Sequence, residues 1–183
     1  TYEDCMKRCH ADIKHCKYMV YSAKKGSCKF VPRGICEYSV PLISGVKYHI
    51  PDSSLTSNGT YNQYAPDRSR LNSKGGFIAV QVLHTWLQAE LPSEFTICSV
   101  TTKGSTRYPH RTTKYQLSFA RNDGEFSHYV EEGIVKNFTG NIAKSSVVTN
   151  ELAEPITARF VRLHVIEWKN YPYIHWELHG NPV

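Results

Sequence analysis

The C-terminal part of the sequence concentrates side chains that could do chemistry. Arg162, His164, Glu167 and His175 all fall within ARFVRLHVIEWKNYPYIHWELHG, the 23 residues from 158 to 180. Imidazole, carboxylate and guanidinium groups are common in acid–base and electrostatic catalysis, so this crowding could mark a chemical site. The alternative is that these residues form the polar side of two structural strands.

The periodicity of the stretch favours the structural interpretation. Apolar residues alternate with polar ones at the two-residue period of a β-strand. The apolar set that is predicted to point inward is Val161, Leu163, Val165, Ile174, Trp176 and Leu178. The polar set that is predicted to point outward is Arg162, His164, His175, Glu177 and His179. KNYPY between the two segments is a predicted turn, and opposite charges on the outer face fit cross-strand pairing better than catalysis.

Enzyme signatures are absent from the sequence. It contains no H-E-x-x-H, no G-x-S-x-G and no phosphate-cradling G-x-x-x-x-G-K motif. Nine histidines are many for this length, but no pair has a metal spacing with supporting ligands. The acidic residues are scattered, without a carboxylate pair that would act as an acid–base couple. The sequence therefore predicts that the protein is not an enzyme and that it has no catalytic cofactor.

Length and charge restrict the architecture and the partners. The 183 residues suit one domain, or one domain with a small appendage. No apolar run approaches the ~18 residues that span a membrane, and the chain opens with polar TYEDC instead of a signal peptide. A net charge of +6 favours acidic partners such as sulfated or sialylated glycans, anionic lipid or nucleic acid. Nucleic acid is disfavoured because no Lys/Arg run has the length of a typical patch.

Cysteine usage predicts an oxidising compartment and hence a secreted protein. Five of the six cysteines lie in the first 36 residues, and the sixth is Cys98. Dense cysteines in a short segment are typical of a disulfide-stapled unit. Two sequons, NGT and NFT, agree with secretion and predict N-glycosylation at Asn58 and Asn137.

Residues 1–35 are predicted to form a separate small segment. Cys5 and Cys9 share one face of a predicted helix, and KYMVY and CKFV are predicted strands around the turn KKGS. Four cysteines allow three connectivities, and the preferred one joins Cys5 to Cys28 and Cys9 to Cys16. The alternative is a metal site formed by Cys5, Cys9, Cys16, His10 and His15. The C-x3-C spacing argues against zinc there.

From Cys36 onward, short apolar runs recur between turn signals. WLQAELP, FTICSVTT and KYQLSFA are predicted strands, and the NDG turn after KYQLSFA indicates a hairpin that returns with FSHYVE. Many short strands at such spacing indicate a β-sandwich or a barrel. The predicted organisation is therefore a small unit at 1–35 and a mainly β domain at 36–183.

Several stretches occur in an order that resembles a known family. CEYSVPLISGVKYHIPDSSLTSNG, APDRSRLN, TWLQAELP, FTICSVTTKG, KYQLSFARNDGEFSHYVE, KNFTGN and the C-terminal stretch together resemble the discoidin domain, also called the coagulation factor V/VIII type C domain. The resemblance covers residues 36–183 and implies a jelly-roll β-sandwich of about eight main strands, with ligand-binding loops at one end. In residues 1–35, CMKRC…CKYMVY…C resembles the core of a PAN/apple domain that lacks its opening strand.

The same resemblance raises the question of how the last two cysteines pair. Members of the family commonly bridge a cysteine at the start of the domain to one at its end. Cys36 fits the first position, but no cysteine follows Gly180. Cys98 lies in a predicted internal strand, where it is either a buried free thiol or the partner of Cys36. The sequence leaves both outcomes open.

The resemblance implies that binding is done by loops, which here correspond to SNGTYNQYAPDRSRLN, SKGGFIAVQVLHT and KGSTRYPHRTTKY. Aromatic rings stack on the C–H faces of sugars, while Arg, His and Asn fix hydroxyls and Arg pairs with sulfate or carboxylate. We therefore predict a secreted recognition protein that binds glycans or glycoproteins, with anionic glycans preferred. The candidate contacts are Tyr61, Tyr64, Arg107, Tyr108, His110 and Arg111. The alternative for RYPHR is a solvated hairpin loop.

Two further ligand classes are alternatives on the same surface. Adhesion or matrix assembly through extracellular-matrix or cell-surface proteins is one, although a glycan on Asn58 would shield a flat protein-binding surface. Anionic phospholipid is the other and is less favoured. Its apolar tip would be formed by Phe77, Ile78, Val80 and Val82, unless these residues form a strand.

The resemblance bears on two more ligands. Peptides that end in arginine are disfavoured, because GGFIAVQV lacks the carboxylate that the family's peptide-binding members use. Calcium is an option near the first loop, where Asp52 and Asp67 are the nearest side-chain oxygen donors.

Overall fold

The structure is a computed structural model that describes residues 1–11, 16–32, 36–80 and 85–183. Three sequence predictions involve residues outside this set: His15 in the alternative metal site, the domain boundary at residue 35, and Val82 in the alternative apolar tip. None of the helices within the described part of the chain has the length and apolar character that crossing a bilayer requires.

The N-terminal segment consists of a helix and a hairpin joined by two disulfides. Helix α1 (Tyr2–Ala11) precedes two antiparallel strands, β1 (Cys16–Ser22) and β2 (Ser27–Pro32). Disulfides join Cys5 to Cys28 and Cys9 to Cys16, which is the pairing that the sequence analysis preferred. These cysteines are therefore not available as metal ligands. The likeness of this segment to an apple domain stays a prediction.

The remainder of the described chain is mainly β. Its strands, in chain order, are β3 (Val40–Pro41), β4 (Leu55–Ser57), β5 (Phe77–Ile78), β6 (Trp86–Lys103), β7 (Arg111–Ala120), β8 (Ser127–His128), β9 (Val130–Glu131), β10 (Ile134–Val135), β11 (Phe138–Thr139), β12 (Val147–Lys169) and β13 (Tyr173–Pro182). Two short 3₁₀ helices span Asp52–Ser54 and Pro66–Ser69.

Two long strands connect the layers of the sandwich. β12 pairs antiparallel with β6 along most of both strands. Trp86 lies opposite His164 at one end of the pairing and Lys103 lies opposite Val147 at the other end, and the register shifts in the middle of both strands. Such bulges bend a strand and increase its twist, so one strand can contribute to two layers. β7 pairs with the later half of β12, whereas β13 pairs with the later half of β6. The predicted β-sandwich is therefore confirmed.

The core lies between these layers and is almost entirely apolar. β7 and the later half of β12 bury mainly alternate side chains, as the two-residue period of a strand requires, whereas β6, which has neighbours on both sides, is buried continuously over residues 97–102. The largest fully buried side chains are Trp176, Tyr115, Phe77, Phe95, Leu42, Ile43, Leu87, Leu91, Ile97, Leu117, Leu163 and Ile174. The Tyr115 phenol is buried and accepts a hydrogen bond from Asn150. Burial raises the pKa of this phenol.

Arg162, His164 and Glu167 have structural partners on the neighbouring strands. The Arg162 Nε donates to Gln88 Oε1 at 2.7 Å. Its guanidinium carbon lies 4.1 Å from the Trp86 ring centroid and 3.5 Å from that of Phe126. Two further pairs cross between strands, His164 with Ser118 and Lys114 with Glu167. The polar outer face of β12 is therefore satisfied by cross-strand contacts.

The prediction that His175 and Glu177 point outward is wrong. Both side chains are only 2% exposed, and β13 does not pair with β12, because the two strands flank β6. The backbone N–H groups of Leu42 and Ile43 donate to Glu177 Oε1 at 3.1 and 2.6 Å, and that of Ser44 donates to Oε2 at 3.0 Å. The segment after β3 thus covers β13, and one buried carboxyl group pairs with its backbone.

A third disulfide joins the start of the β domain to its centre. Cys36 is bonded to Cys98 in β6, so Cys98 is not a free thiol. The link closes a loop across 62 residues of sequence. Because a cross-link across a long loop restricts the unfolded chain, this bond stabilises the fold, and it fixes residue 36 against the sandwich.

The Glu177 contacts generate a stability prediction. We expect Glu177→Ala to lower the free energy of unfolding by about 3 kcal/mol, because it removes the carboxylate that accepts the N–H groups of Ile43 and Ser44, while the Leu42 N–H keeps the Leu178 carbonyl as an acceptor. Urea denaturation of the variant and of the unsubstituted protein measures the difference. Glu125→Ala is the matched control, since Glu125 is exposed in the turn after β7 and should change stability by less than about 0.5 kcal/mol. Equal stability of the two variants would contradict the role assigned to Glu177.

Candidate ligand pocket between the loops

Loops from distant parts of the sequence meet at one end of the sandwich. The N–H of Tyr61 donates to the Ile78 carbonyl at 2.9 Å, which joins the first and second predicted binding loops. The N–H of Ala79 donates to the carbonyl of Pro172, in the turn that connects β12 to β13. Asn170 in this turn donates to the Pro109 carbonyl at 3.2 Å and so reaches the third loop. Backbone and side-chain hydrogen bonds thus join four segments into one surface.

These segments enclose a pocket of about 370 Å³. Five of the six predicted contact residues line it: Tyr61, Tyr64, Arg107, Tyr108 and His110. The sixth, Arg111, is not among the lining residues, and its Nη1 donates to the Pro109 carbonyl at 3.3 Å beside the pocket. The tertiary structure therefore brings together residues that lie up to about fifty positions apart in sequence, as packing of non-consecutive strands allows.

An aromatic row crosses the pocket. The ring centroids of Tyr61 and Tyr171 lie 5.4 Å apart, and Tyr171 meets His110 edge-on at 4.9 Å. His110 stacks on Tyr108 at 5.2 Å with an angle of 24° between the ring planes, and the Arg107 guanidinium lies 5.2 Å from the Tyr108 ring. The distances are those of favourable aromatic and cation–π pairs. The row therefore holds one guanidinium and four rings in a preorganised arrangement.

Ser105 shapes the loop that carries half of this row. Its buried hydroxyl oxygen accepts the N–H groups of Arg107 and Tyr108 at 3.2 and 3.0 Å, as in a turn closed by a serine side chain. The backbone N–H of Ser105 donates to the His110 carbonyl at 3.0 Å. The backbone of RYPHR is consequently held in an ordered turn, and the choice between a binding loop and a solvated loop stays a prediction.

Gly76 and Tyr173 form the base of the pocket. A Cβ at position 76 would lie 2.2 Å from the Tyr173 ring, so only glycine allows this loop to approach the ring so closely. The Tyr173 hydroxyl lies 3.0 Å from Nε2 of the buried His175. Burial raises the pKa of the Tyr173 phenol, which stays protonated at neutral pH and can serve as a donor.

The pocket is cationic. Lys74 and Arg107 line it, and the described lining residues include no Asp or Glu. Partial burial lowers the pKa of His110, so its ring is neutral at pH 7. Its Nδ1 is buried and has no hydrogen-bond partner among the described residues. A hydrogen bond between the Tyr61 and Tyr171 side chains raises the pKa of the Tyr171 phenol. The site therefore offers cations and phenols to a ligand.

The other predicted site residues lie elsewhere. Asp52 Oδ1 accepts hydrogen bonds from Arg70 at 2.6 and 3.2 Å, and Asp67 lies in the second 3₁₀ helix. Within the described part of the chain, no group of three or more His, Cys, Asp or Glu side chains could hold a metal ion. Calcium binding, which also uses backbone oxygens, stays a prediction.

Both sequon asparagines are exposed, and each side chain accepts a hydrogen bond. Asn58 Oδ1 accepts the N–H of Trp86 at 2.7 Å in the first loop. Asn137 Oδ1 accepts a hydrogen bond from Gln116 Nε2 at 2.9 Å on the sheet surface. Glycosylation at either position stays a prediction.

Sequence reasoning missed four residues of the site: Lys74, Ser105, Tyr171 and Tyr173. Tyr171 and Tyr173 lie in KNYPY, which the sequence analysis treated as a connection between structural strands. A signal was present, because a turn that carries two tyrosines, a lysine and an asparagine has the composition of a binding loop. Nothing in the sequence, however, indicated that this turn lies beside RYPHR.

A jelly-roll sandwich with a loop-enclosed pocket at one end defines a discoidin-type domain. The F5/8 type C domain profile matches residues 50–178, and the chain belongs to this family. Mouse (Mus musculus) retinoschisin is 30% identical over 173 residues, covering 88% of this chain and 76% of retinoschisin. Mouse coagulation factor V is 27% identical over 157 residues, covering 79% of this chain. The resemblance inferred from the sequence is thereby confirmed.

Solved structures share the fold. Discoidin II from Dictyostelium discoideum superposes with a TM-score of 0.69 at 20% identity, covering 80% of this chain and 60% of discoidin II. The family 32 CBM from Clostridium perfringens NanJ, solved in complex with galactose, superposes with a TM-score of 0.57 at 17% identity, covering 71% of this chain and 96% of the module. This chain spans only 7% of the length of mouse coagulation factor V, so the similarity concerns one domain of that protein.

His175 beneath the pocket generates a pH prediction. Burial, with a smaller contribution from Lys103, lowers the pKa of His175 to about 4. The unfolded chain binds this proton at a pKa of about 6.5, so the unfolded state holds more protons between the two values. Stability is therefore lost as the pH falls from about 6.5 to 4, and His175 accounts for about 3 kcal/mol of the loss.

Urea denaturation between pH 7.5 and 4 measures this effect. We expect His175→Gln to lower the dependence of stability on pH, and His49→Gln, at an exposed position, to leave it unchanged. A slope that is the same in His175→Gln as in the unsubstituted protein would show that His175 titrates normally.

Proposed function

We propose that this chain is a non-enzymatic recognition module that binds glycans in the pocket between the loops, with a preference for glycans that carry a carboxylate or sulfate. The observation that carries the proposal is the combination of an aromatic row with Lys74 and Arg107 in a pocket whose described lining contains no carboxylate. This combination suits a ligand that has both an apolar ring face and negative charge.

The chemistry of each group matches part of a sugar. Tyr171 and Tyr108 line the pocket with aromatic rings that can contact the C–H bonds of a pyranose ring. Hydroxyl groups of Tyr61, Tyr64 and Tyr173 can donate to and accept from sugar hydroxyls. The Arg107 guanidinium presents a planar fork that matches carboxylate or sulfate. A volume of about 370 Å³ is in the range of small-molecule sites and can hold a terminal sugar.

The disulfide bonds of the chain support an extracellular role. Three disulfides are formed, and structural disulfides persist mainly in oxidising compartments.

Solved neighbours with the same fold include the NanJ module in complex with galactose and a C. perfringens module in complex with GalNAc-beta-1,3-galactose. These likenesses concern the fold, and the assignment to this chain rests on the chemistry of its own pocket.

Arg107 provides the first test of the pocket. We expect Arg107→Ala to weaken binding of acidic glycans about 10- to 100-fold, because a charge-assisted hydrogen bond is lost. A glycan array identifies the ligand, and titration calorimetry measures its affinity. Arg111→Ala is the matched control from the same loop, since Arg111 does not line the pocket and its removal should leave the affinity unchanged. Absence of glycan binding above background, or an equal loss in both variants, would count against this site.

Tyr171 provides the second test, since it lies at the centre of the aromatic row. We expect Tyr171→Ala to weaken glycan binding about 10-fold, and Tyr171→Phe, which keeps the ring, to retain most of the affinity. Tyr38→Ala is the control, because Tyr38 is exposed and lies outside the pocket lining. If Tyr171→Phe were as weak as Tyr171→Ala, the ring face would not be the contact that matters.

A further inference from the structure

Two histidines from different strands meet on the outer face of the sandwich. We propose that His128 and His164 together bind one divalent transition-metal ion, Cu²⁺ or Zn²⁺, with one imidazole nitrogen of each ring as the protein ligands. Neither histidine lines the pocket between the loops, so this metal site is independent of the proposed glycan function.

The register of three neighbouring strands places the two histidines on one face. His128 in β8 lies opposite Ser118 in β7, and Ser118 lies opposite Arg162 in β12. Residues that lie opposite each other share a face of the sheet, and His164 shares it too, because it follows Arg162 by two positions. The small side chain of Ser118 therefore lies between two strands that each carry an imidazole on this face.

The spacing of the two rings suits a shared ion. Their centroids lie 5.1 Å apart, with an angle of 40° between the ring planes. A Zn–N bond of about 2.1 Å and a tetrahedral angle place the centroids of two imidazoles about 5.2 Å apart when both rings turn a nitrogen toward the ion. The two strands thus need no movement to bring both ligands to one ion. His128 is exposed and His164 is half-buried, so an ion can reach the pair from solvent.

Ser118 supplies the partner that orients the His164 ring. Its Oγ lies 2.7 Å from Nε2 of His164, and Ser118 itself is only 2% exposed. Metal-binding histidines usually donate the N–H of one ring nitrogen to a neighbouring acceptor, which fixes the ring and directs the other nitrogen to the ion. In the metal-bound state we assign Nε2–H of His164 to the hydrogen bond with Ser118 Oγ, and Nδ1 to the metal.

The ligand type selects the class of ion. Imidazole nitrogens suit Cu²⁺ and Zn²⁺, whereas Ca²⁺ and Mg²⁺ take oxygen ligands. The charge on this face does not favour dications in general, since it includes the Arg162 guanidinium, whose charge Asp123 only partly offsets. Affinity therefore comes from coordination to nitrogen, and the site discriminates against Ca²⁺.

Two protein ligands make this an open site. Structural zinc sites have four protein ligands and catalytic zinc sites have three. Within the described residues, no third His, Cys, Asp or Glu completes such a set around the pair. A bound ion would keep at least two positions for water or for a donor from another molecule, so chelators should remove it readily.

Calorimetric titration of the full chain, produced without a histidine tag, tests the inference with CuCl₂, ZnCl₂ and CaCl₂. We expect one equivalent of Cu²⁺ or Zn²⁺ to bind at the pair, Cu²⁺ more tightly, and Ca²⁺ not to compete with either. His128→Gln and His164→Gln should each weaken binding about 10-fold or more, because each removes one of two ligands. Electron paramagnetic resonance of the Cu²⁺ complex should show two coordinated imidazole nitrogens in the unsubstituted protein.

Two further variants separate the site from general histidine binding. His49→Gln is the matched control, because His49 is an exposed histidine outside the pair, and it should bind both ions like the unsubstituted protein. Ser118→Ala removes the acceptor and leaves both ligands, so it should weaken binding about 10-fold while two nitrogens remain in the Cu²⁺ spectrum. Thermal melting checks that each variant is folded.

The outcomes bear on the metal site alone. Failure of the unsubstituted protein to bind Cu²⁺ and Zn²⁺, or unchanged binding in His128→Gln and His164→Gln, would overturn the inference. A loss in only one of these two variants, or an equal loss in His49→Gln, would also overturn it, because the ion would then not be shared by the pair. Unchanged affinity in Ser118→Ala would overturn the role assigned to Ser118. Glycan binding should be the same with and without Zn²⁺, so a failed glycan array would leave this inference standing.

Discussion

Pairing between β6 and β12 is the constraint on which the rest of the molecule depends. These two strands stay paired from the end where Trp86 lies opposite His164 to the end where Lys103 lies opposite Val147. Bulges within the pairing let the strands pass from one layer to the other. β7 adds to one half of the pair and β13 to the other half. The ends of these strands, and therefore the loops that follow them, are brought together by this single arrangement.

The same arrangement explains why β13 carries polar residues that are buried. It lies between β6 and the short β3, and the segment after β3 covers it. Glu177 then accepts the backbone N–H groups of Leu42, Ile43 and Ser44 in that segment. His175 remains neutral next to the Tyr173 hydroxyl, directly below the pocket. Polar residues inside this strand thus connect the stability of the sandwich to the floor of its binding site.

The sequence predicted the fold and part of the site. The two-residue period and the turn signals indicated a sandwich, and the order of motifs indicated the family, because both are local features of the chain. Five of the six proposed contacts line the pocket, since RYPHR and the tyrosines of the first loop had a binding composition. Tyr171 was missed because its role depends on a neighbour 61 residues away: Asn170 in the same turn bonds to Pro109.

The amino-acid sequence by itself determined the strands, the inward set of β12 and the types of residue that bind. Those properties follow from periodicity and side-chain chemistry, which act over a few residues. Only the tertiary structure decided that β12 and β13 flank β6 instead of pairing, that Glu177 is buried, and that Cys36 is bonded to Cys98. These outcomes depend on contacts between segments far apart in sequence, and the energy of such contacts is not encoded in any local pattern.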